Sequence, residues 1–268
     1  LFYSDWECGE HTLAVRDCIF AGKRAEWGGA IYVEGDLRSP GEQPEATLER
    51  TIFYANDAKE GPVAWPWHIR LTVRDSVLCG EGDLIRYQWF NDGGNRFVAP
   101  GEGPPYEDAD GDLVPDPLQS LLGLPTRVRE RIMFEEPSRP APGGRILRVP
   151  GDHERVQAAI DAAADGDLVL IAPGIYAESL RTLGKAIEIR GQGRAAEVIL
   201  QSPDGGPVVD GSDSEAARPV FRDLTFTGSW MTEAVVFRDA HAVFERCVFR
   251  DNMNLGVLVE SFACDGVG

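Results

Sequence analysis

Basic residues are scarce in this chain. Its 268 residues include 26 Lys and Arg against 44 Asp and Glu, which gives a formal net charge of -18. Nucleic acids and anionic membrane surfaces attract Lys and Arg, so this balance argues against both as partners. Acidic polysaccharides are disfavoured for the same reason, unless a divalent cation bridges the carboxylates. The chain also lacks a run of about 20 apolar residues, the length that spans a bilayer, so we expect no membrane insertion.

Residues that hold transition metals or form disulfide frameworks are also few. The five Cys include no Cys-x-x-Cys pair, and the four His have no metal-ligand spacing. Cys18 and Cys247 occupy equivalent positions in a repeated sequence, where a thiol packs as a small apolar group. We therefore expect buried free thiols. A disulfide such as Cys8 with Cys18 is the alternative.

What the chain does contain is a seven-residue sequence that recurs five times. The copies are Ala14–Phe20, Thr47–Phe53, Thr72–Leu78, Val220–Phe226 and Val243–Phe249. When they are aligned, one position is always apolar, a second is small or apolar and a third is large and apolar. The first of these columns contains Val15, Leu48, Val73, Phe221 and Phe244.

The spacing of these columns predicts a corner in the chain. Inward side chains of a strand are two residues apart, whereas the first two columns are three apart with a charged pair between them. Within the first three copies and within the last two, neighbours begin 23 to 33 residues apart, about the length of one coil of a parallel β-helix. A β-sandwich has no need to repeat a corner in register. The sequence therefore predicts an all-β fold, a parallel β-helix solenoid.

Composition divides the chain into three regions. Residues 1–86 contain three copies of the repeat and are interpreted as the last coils of one β-helix. Residues 87–145 are rich in Pro, Gly and charge, which is typical of a linker. Residues 146–268 are interpreted as the start of a second β-helix, with a capping helix at 153–164, Asp152 as its N-cap and Gly166 ending it. Whether the two β-helix segments stack is left open.

The second region of repeats carries a family resemblance. Val156–Ala163, Ala172–Glu178 and Ile189–Gly193 resemble the first coil of right-handed parallel β-helix proteins of the pectin-lyase-like superfamily, which includes pectin methylesterases. With the repeats, the resemblance covers about 1–86 and 146–268. It implies a right-handed helix and says little about chemistry, because the matching positions are corners, caps and core.

An acidic run in the linker predicts a calcium site. Carboxylates at alternate loop positions wrap a hard cation such as Ca²⁺, and this run supplies Asp108, Asp110, Asp112 and Asp116. It resembles the calcium loops of thrombospondin type 3 repeats. Position 12 of the loop is Gln119 where a bidentate Glu is expected, which lowers the expected affinity. A merely solvated acidic linker is the alternative.

Catalytic residues of the methylesterase type are incomplete. The resemblance implies a Gln-Ala pair where this chain has Glu233 and Ala234, and a Gln-Asp pair after Phe249 where it has Arg250 and Asp251. A negative side chain at the first site opposes an oxyanion. Weaker candidates for a lyase or hydrolase are Asp223, Asp239 and Asp251, which lie near corners. Such residues more often pair with neighbouring Arg.

Aromatic residues suggest a binding function. Trp65 and Trp67 offer flat faces on which sugar rings stack, although large aromatics in solenoids more commonly shield the core. The leading hypothesis is an extracellular or cell-surface scaffold or carbohydrate-binding module, non-catalytic in this segment. The alternatives are a polysaccharide-active enzyme (lyase, hydrolase or epimerase) and an adhesin or protein-binding repeat module. Because the chain begins with Leu1 inside a repeat pattern, we expect further domains in a larger, bacterial parent protein.

Overall fold

The computed structural model describes residues 12–22, 24–27, 29–34, 45–54, 56–80, 82–99, 143–212, 218–238, 241–253 and 256–260. Within them the fold is dominated by β-strands, which form three large parallel sheets and one small one. The acidic run 108–116, Asp239, Cys8 and Cys264 lie outside these residues.

The first sheet has nine strands, and it contains the first column of the repeat. In chain order they are β1 (Thr12–Arg16), β5 (Glu45–Glu49), β9 (Arg70–Arg74), β11 (Trp89–Asn91), β13 (Ile146–Val149), β14 (Leu168–Ile171), β17 (Glu188–Gly191), β20 (Val220–Arg222) and β23 (Ala242–Glu245).

The second sheet has eight strands and contains the third column. They are β2 (Ile19–Ala21), β6 (Ile52–Tyr54), β10 (Val77–Cys79), β12 (Arg96–Val98), β15 (Gly174–Ala177), β18 (Val198–Gln201), β21 (Thr225–Thr227) and β24 (Val248–Arg250).

The third sheet has six strands, β4 (Ile31–Glu34), β8 (Ala64–Trp67), β16 (Leu180–Arg181), β19 (Val209–Asp210), β22 (Val235–Arg238) and β25 (Val257–Glu260). The small sheet pairs β3 (Arg24–Trp27) with β7 (Asp57–Glu60). The helical elements described are α1 (Val156–Ala162) and a 3₁₀ turn at Ala195–Glu197.

Successive copies of the repeat lie side by side in these sheets. Val15 pairs with Leu48 and with Phe244, and Phe20 pairs with Phe53 and with Phe249. All five first-column residues are fully buried. The predicted stacking of inward-pointing side chains is therefore confirmed for these columns. The arrangement of parallel strands is compatible with a solenoid.

The predicted corner is present in every copy. The second residue of the charged pair has left-handed backbone, with φ between 46° and 57°. These corner residues are Asp17, Arg50, Asp75, Asp223 and Arg246. Left-handed backbone is unfavourable for residues other than glycine, so it persists only where surrounding contacts hold it. Here both corner Arg bind the preceding corner Asp, Arg50 to Asp17 and Arg246 to Asp223.

The two segments of the chain meet in a single stack. The order in the first sheet is β11-β9-β5-β1-β23-β20-β17-β14-β13, so the last strand of the 146–260 segment pairs with the first strand of the 12–98 segment. The first described strand of the chain, β1, thus lies in the middle of the sheet. We call one strand of the first sheet, with the element that follows it, a rung.

The helix α1 lies at the β13 end of the stack. Its Val156, Ala159 and Ile160 are buried, and it contacts β13 and β14. The predicted N-cap is wrong. Helix α1 begins at Val156 rather than 153, and its first N–H groups donate to the Glu178 carboxylate at 2.9 Å and 3.1 Å.

Asp152 instead accepts a hydrogen bond from the backbone N–H of Arg148 at 2.8 Å. The end of the helix is also shifted. It lies at Ala162, four residues before Gly166, whose φ of 83° belongs to the following turn. The N-cap prediction is wrong because the next rung supplies a buried carboxylate, which satisfies the N-terminus of the helix without a local side chain.

Candidate functional site

A cluster of four aromatic side chains lies on the outer face of the third sheet, at its β8 edge. The cluster, called here the aromatic surface, consists of Tyr32, Trp65, Trp67 and Tyr87. Ring centroids are 6.4 Å apart for Tyr32 and Trp65, 5.6 Å for Trp65 and Tyr87, and 4.8 Å for Trp67 and Tyr87. The four rings are therefore in contact along three neighbouring segments of chain.

Strand alternation explains why these rings point outward. Ile31 and Val33 are buried, which directs Tyr32 to the other face of β4. Tyr32 pairs with Trp65 in the neighbouring strand. Pro66, which has no N–H, lies in β8 at the edge of the sheet order, where a missing donor is tolerated.

Exposure differs among the rings. Trp65 is only 9% exposed, so it forms the floor of the aromatic surface. Trp67 is partly exposed, and Tyr87 is 48% exposed. Tyr87 has a left-handed backbone, with φ of 65°. The accessible faces are thus those of Trp67 and Tyr87.

Polar groups border these rings. The Tyr32 hydroxyl donates to a Glu34 carboxylate oxygen at 3.1 Å. Arg86 lies 3.1 Å from Glu60, and its guanidinium carbon is 5.6 Å from the Tyr87 ring centroid. Flat apolar faces beside hydrogen-bonding groups suit a ligand with both C–H faces and hydroxyls.

Of the weak catalytic candidates, Asp223 lies at a corner after β20. It is 7% exposed and accepts two hydrogen bonds from Arg246, at 2.6 Å and 2.9 Å. Arg190 Nε lies 3.1 Å from Asp223 Oδ2, the oxygen that Arg246 Nη2 also contacts. Two guanidiniums therefore hold this carboxylate in ion pairs. Its geometry fits a structural role.

Of the other two candidates, the structure describes Asp251, which does not lie beside Asp223. Asp251 follows β24 in the second sheet, is exposed and lies 3.5 Å from Arg250. Asp223 follows a strand of the first sheet, so the two carboxylates occupy different corners. Asp239 falls in an undescribed stretch. A catalytic role for the three Asp stays a prediction.

Charged side chains on the outer face of the first sheet form an alternating ladder. Glu245 binds Arg222 at 2.7 Å and Arg16 at 3.4 Å. Glu49 binds Arg74 at 2.7 Å and Arg16 at 3.6 Å. Burial raises the pKa of both Glu, but the neighbouring guanidiniums outweigh it and lower each pKa below its ordinary value. Both carboxylates are consequently ionised and engaged.

The described cysteines are free and buried. They are Cys18, Cys79 and Cys247. Burial raises the pKa of Cys79 to about 11 and that of Cys18 well above its ordinary value. Thiols of this kind are unreactive at neutral pH because little thiolate forms.

Metal binding is not tested by the part of the chain that the structure describes. In that part, no group of three or more His, Cys, Asp or Glu side chains is arranged to hold a metal ion. The predicted calcium ligands, Asp108, Asp110, Asp112 and Asp116, lie outside it. In the same part, no helix is long and apolar enough to cross a membrane.

Sequence reasoning identified Trp65 and Trp67 and missed two members of the aromatic surface. Tyr32 was detectable, because the alternation in Ile31–Glu34 places it outward. Tyr87 follows the last recognised repeat, and nothing local in the sequence places it against Trp67. Comparison with family models, with curated proteins and with solved structures finds no match for this chain.

Proposed function

We propose that this chain is a right-handed parallel β-helix of the pectin-lyase-like type and works outside the cell as a non-catalytic, carbohydrate-binding scaffold. The observation that carries the binding proposal is the aromatic surface, where Trp67 and Tyr87 present accessible rings above the largely buried Trp65.

The chemistry of this surface favours a polysaccharide. Sugar rings have C–H faces that stack on aromatic rings, and their hydroxyls bind carboxylates and guanidiniums, here Glu34 and Arg86. A net charge of -18 repels polyanions, so the favoured ligand is a neutral glycan. Buried apolar side chains, among them Ile31, Val33 and Ala64, hold the sheet beneath it, which supplies a rigid platform.

Support for a non-catalytic role comes from the corner carboxylate. Both carboxylate oxygens of Asp223 are engaged by Arg246, and one of them also contacts Arg190. An enzyme of the lyase or hydrolase class needs an unengaged base beside its substrate. Calcium binding by Asp108, Asp110, Asp112 and Asp116 is a separate part of the proposal and rests on their spacing.

The test is a glycan array followed by titration calorimetry on the best neutral glycan. We expect Trp67→Ala and Tyr87→Ala to reduce affinity at least about tenfold, which corresponds to about 1.4 kcal/mol. Trp230→Ala is the matched control, because Trp230 is 57% exposed on a different part of the chain and should leave affinity unchanged.

Equal losses in all three variants, or an array with no neutral glycan bound, would overturn the binding proposal. A screen of lyase and hydrolase activity on uronic-acid polymers tests the proposal that the chain is non-catalytic. Turnover that disappears in Asp223→Asn would overturn the non-catalytic role.

A further inference from the structure

The junction between the two segments is an interface between strands that are far apart in the sequence. Strands β23, β24 and β25 end the 146–260 segment and pair with β1, β2 and β4 of the 12–98 segment, one pair in each large sheet. Sequence neighbours do not impose this contact, because the junction joins positions more than 200 residues apart. Its specificity must come from the side chains that meet there.

Charge matching is the first source of specificity. In spatial order the corner pairs read Arg222–Asp223, Glu245–Arg246, Arg16–Asp17, Glu49–Arg50 and Arg74–Asp75. Opposite charges therefore face each other at each of the four steps between these five rungs, and the junction continues the alternation without a break. At the junction itself, Arg16 lies 3.4 Å from Glu245, on the other segment. Like charges there would be destabilising.

Core packing is the second source. The rings of Phe20 and Phe249 stack across the junction with centroids 4.5 Å apart and planes 4° from parallel. Gly256 makes room for this ring, since a Cβ at Gly256 would lie 2.8 Å from Phe20. Beside them, the N–H of Cys247 donates to the sulfur of Cys18 at 3.4 Å. The two segments fit each other as closely as rungs within one segment.

The connection between the segments permits a second arrangement. Residues 99–145 join β12, at one end of the stack, to β13 at the other. Nine strands in the first sheet make eight steps of about 4.8 Å, about 38 Å in all. The 47 residues 99–145 reach about 155 Å when extended, so closure within one chain is easy. The same reach lets each segment meet its partner on another chain.

We propose that the junction is a docking surface for a second copy of this chain. In the exchanged dimer, residues 12–98 of each copy stack on β23, β24 and β25 of the other, and the contacts at each junction are those of the monomer. Exchange of identical elements needs no new interface. The intramolecular arrangement prevails at low concentration because the linker keeps the effective concentration of the two segments high.

The first test shortens the connection 99–145 to about eight residues, whose reach of about 28 Å is less than the stack requires. We expect light scattering to show at least a doubling of the molar mass, with native circular dichroism. The control replaces 99–145 by a Gly/Ser sequence of equal length and should remain monomeric at micromolar concentration. A monomeric short variant with native circular dichroism would overturn the proposal.

A second test applies if the short variant does not fold. A protease site is inserted in the linker of the full chain, and the folded protein is cleaved. We expect the two pieces to stay together on gel filtration. When a tagged cleaved sample is mixed with an untagged one, tagged N-terminal pieces should capture untagged C-terminal pieces. Separation of the pieces, or capture only of the original partner after prolonged mixing, would overturn the docking surface.

Discussion

The two ends of the stack are finished in different ways. At the β13 end, helix α1 covers the core, and Val156, Ala159 and Ile160 are fully buried. At the other end, β11 and β12 are short, and Phe90 and Phe97 remain 52% and 56% exposed. Trp89, which precedes Phe90 in β11, does pack against the core.

The backbone groups at the two ends are satisfied by different means. Near β13, buried carboxylates of Glu178 and Asp167 accept several N–H groups each. Near β12, the neutral side chain of Asn95 accepts the N–H of Ser76 at 2.9 Å and donates to the carbonyl of Val73 at 2.7 Å. Apolar burial and buried charge are therefore concentrated at the helical end, so stability should depend more on that end.

Removing apolar packing should distinguish the ends most strongly. We expect Ile160→Ala to lower the free energy of unfolding by about 3 kcal/mol, because it leaves a cavity under α1. Phe97→Ala at the other end should cost less than about 1 kcal/mol, since its ring is already half in water. Urea denaturation of both variants measures this. Equal losses of unfolding free energy in the two variants would show that stability does not depend more on the helical end.

Removing a buried charge should have the next largest effect. Asp167 accepts hydrogen bonds from the Arg145 guanidinium and from the N–H groups of Arg145 and Ala164. Burial raises the pKa of Asp167, but these donors outweigh it and hold the pKa at about 2, below the ordinary 3.8. We expect Asp167→Asn to cost about 2 kcal/mol at pH 7.

The pH dependence of that cost has a definite sign. Because the folded-state pKa is lowered, the stabilisation is complete above about pH 4 and is lost as the pH falls towards 2. The difference between wild type and Asp167→Asn should therefore shrink in that window in urea titrations. A difference that stays constant from pH 7 to pH 2 would mean that the ion pair contributes nothing.

The smallest effect is expected at Asn95. Replacing it by Ala removes the hydrogen bonds to Ser76 and Val73 at a partly exposed site, which should cost about 1 kcal/mol. Hydrogen exchange of the Ser76 N–H should accelerate, whereas that of the Val15 N–H in the middle of the sheet should not. Unchanged exchange at Ser76 would show that Asn95 does not cap this end.

Much of the local fold is readable from the sequence. The columns containing Val15, Cys18 and Phe20 are buried as their periodicity predicts, and the charged pair between them forms the corner. These features depend on side chains close in sequence. The N-terminus of α1 was predicted wrongly for the converse reason, since Glu178, which binds it, belongs to another rung.

The order of the rungs could not be predicted, because it depends on contacts between distant segments. The alternation of Arg-Asp and Glu-Arg pairs contains the information, but it is recognisable only once Glu245 is placed beside Arg16. The contacts within the aromatic surface could not be predicted for the same reason. Trp67 was identified as a candidate, whereas its contact with Tyr87 depends on how neighbouring rungs stack.

The measurement that tests the stacking most directly is an NMR experiment on ring protons of Phe in the intact chain. Phe249 stacks on Phe226 of its own segment, with centroids 4.9 Å apart, and on Phe20 of the other segment at 4.5 Å. We predict nuclear Overhauser effects of similar strength from Phe249 to both rings. A signal to Phe226 with none to Phe20 would show that the two segments do not share one stack.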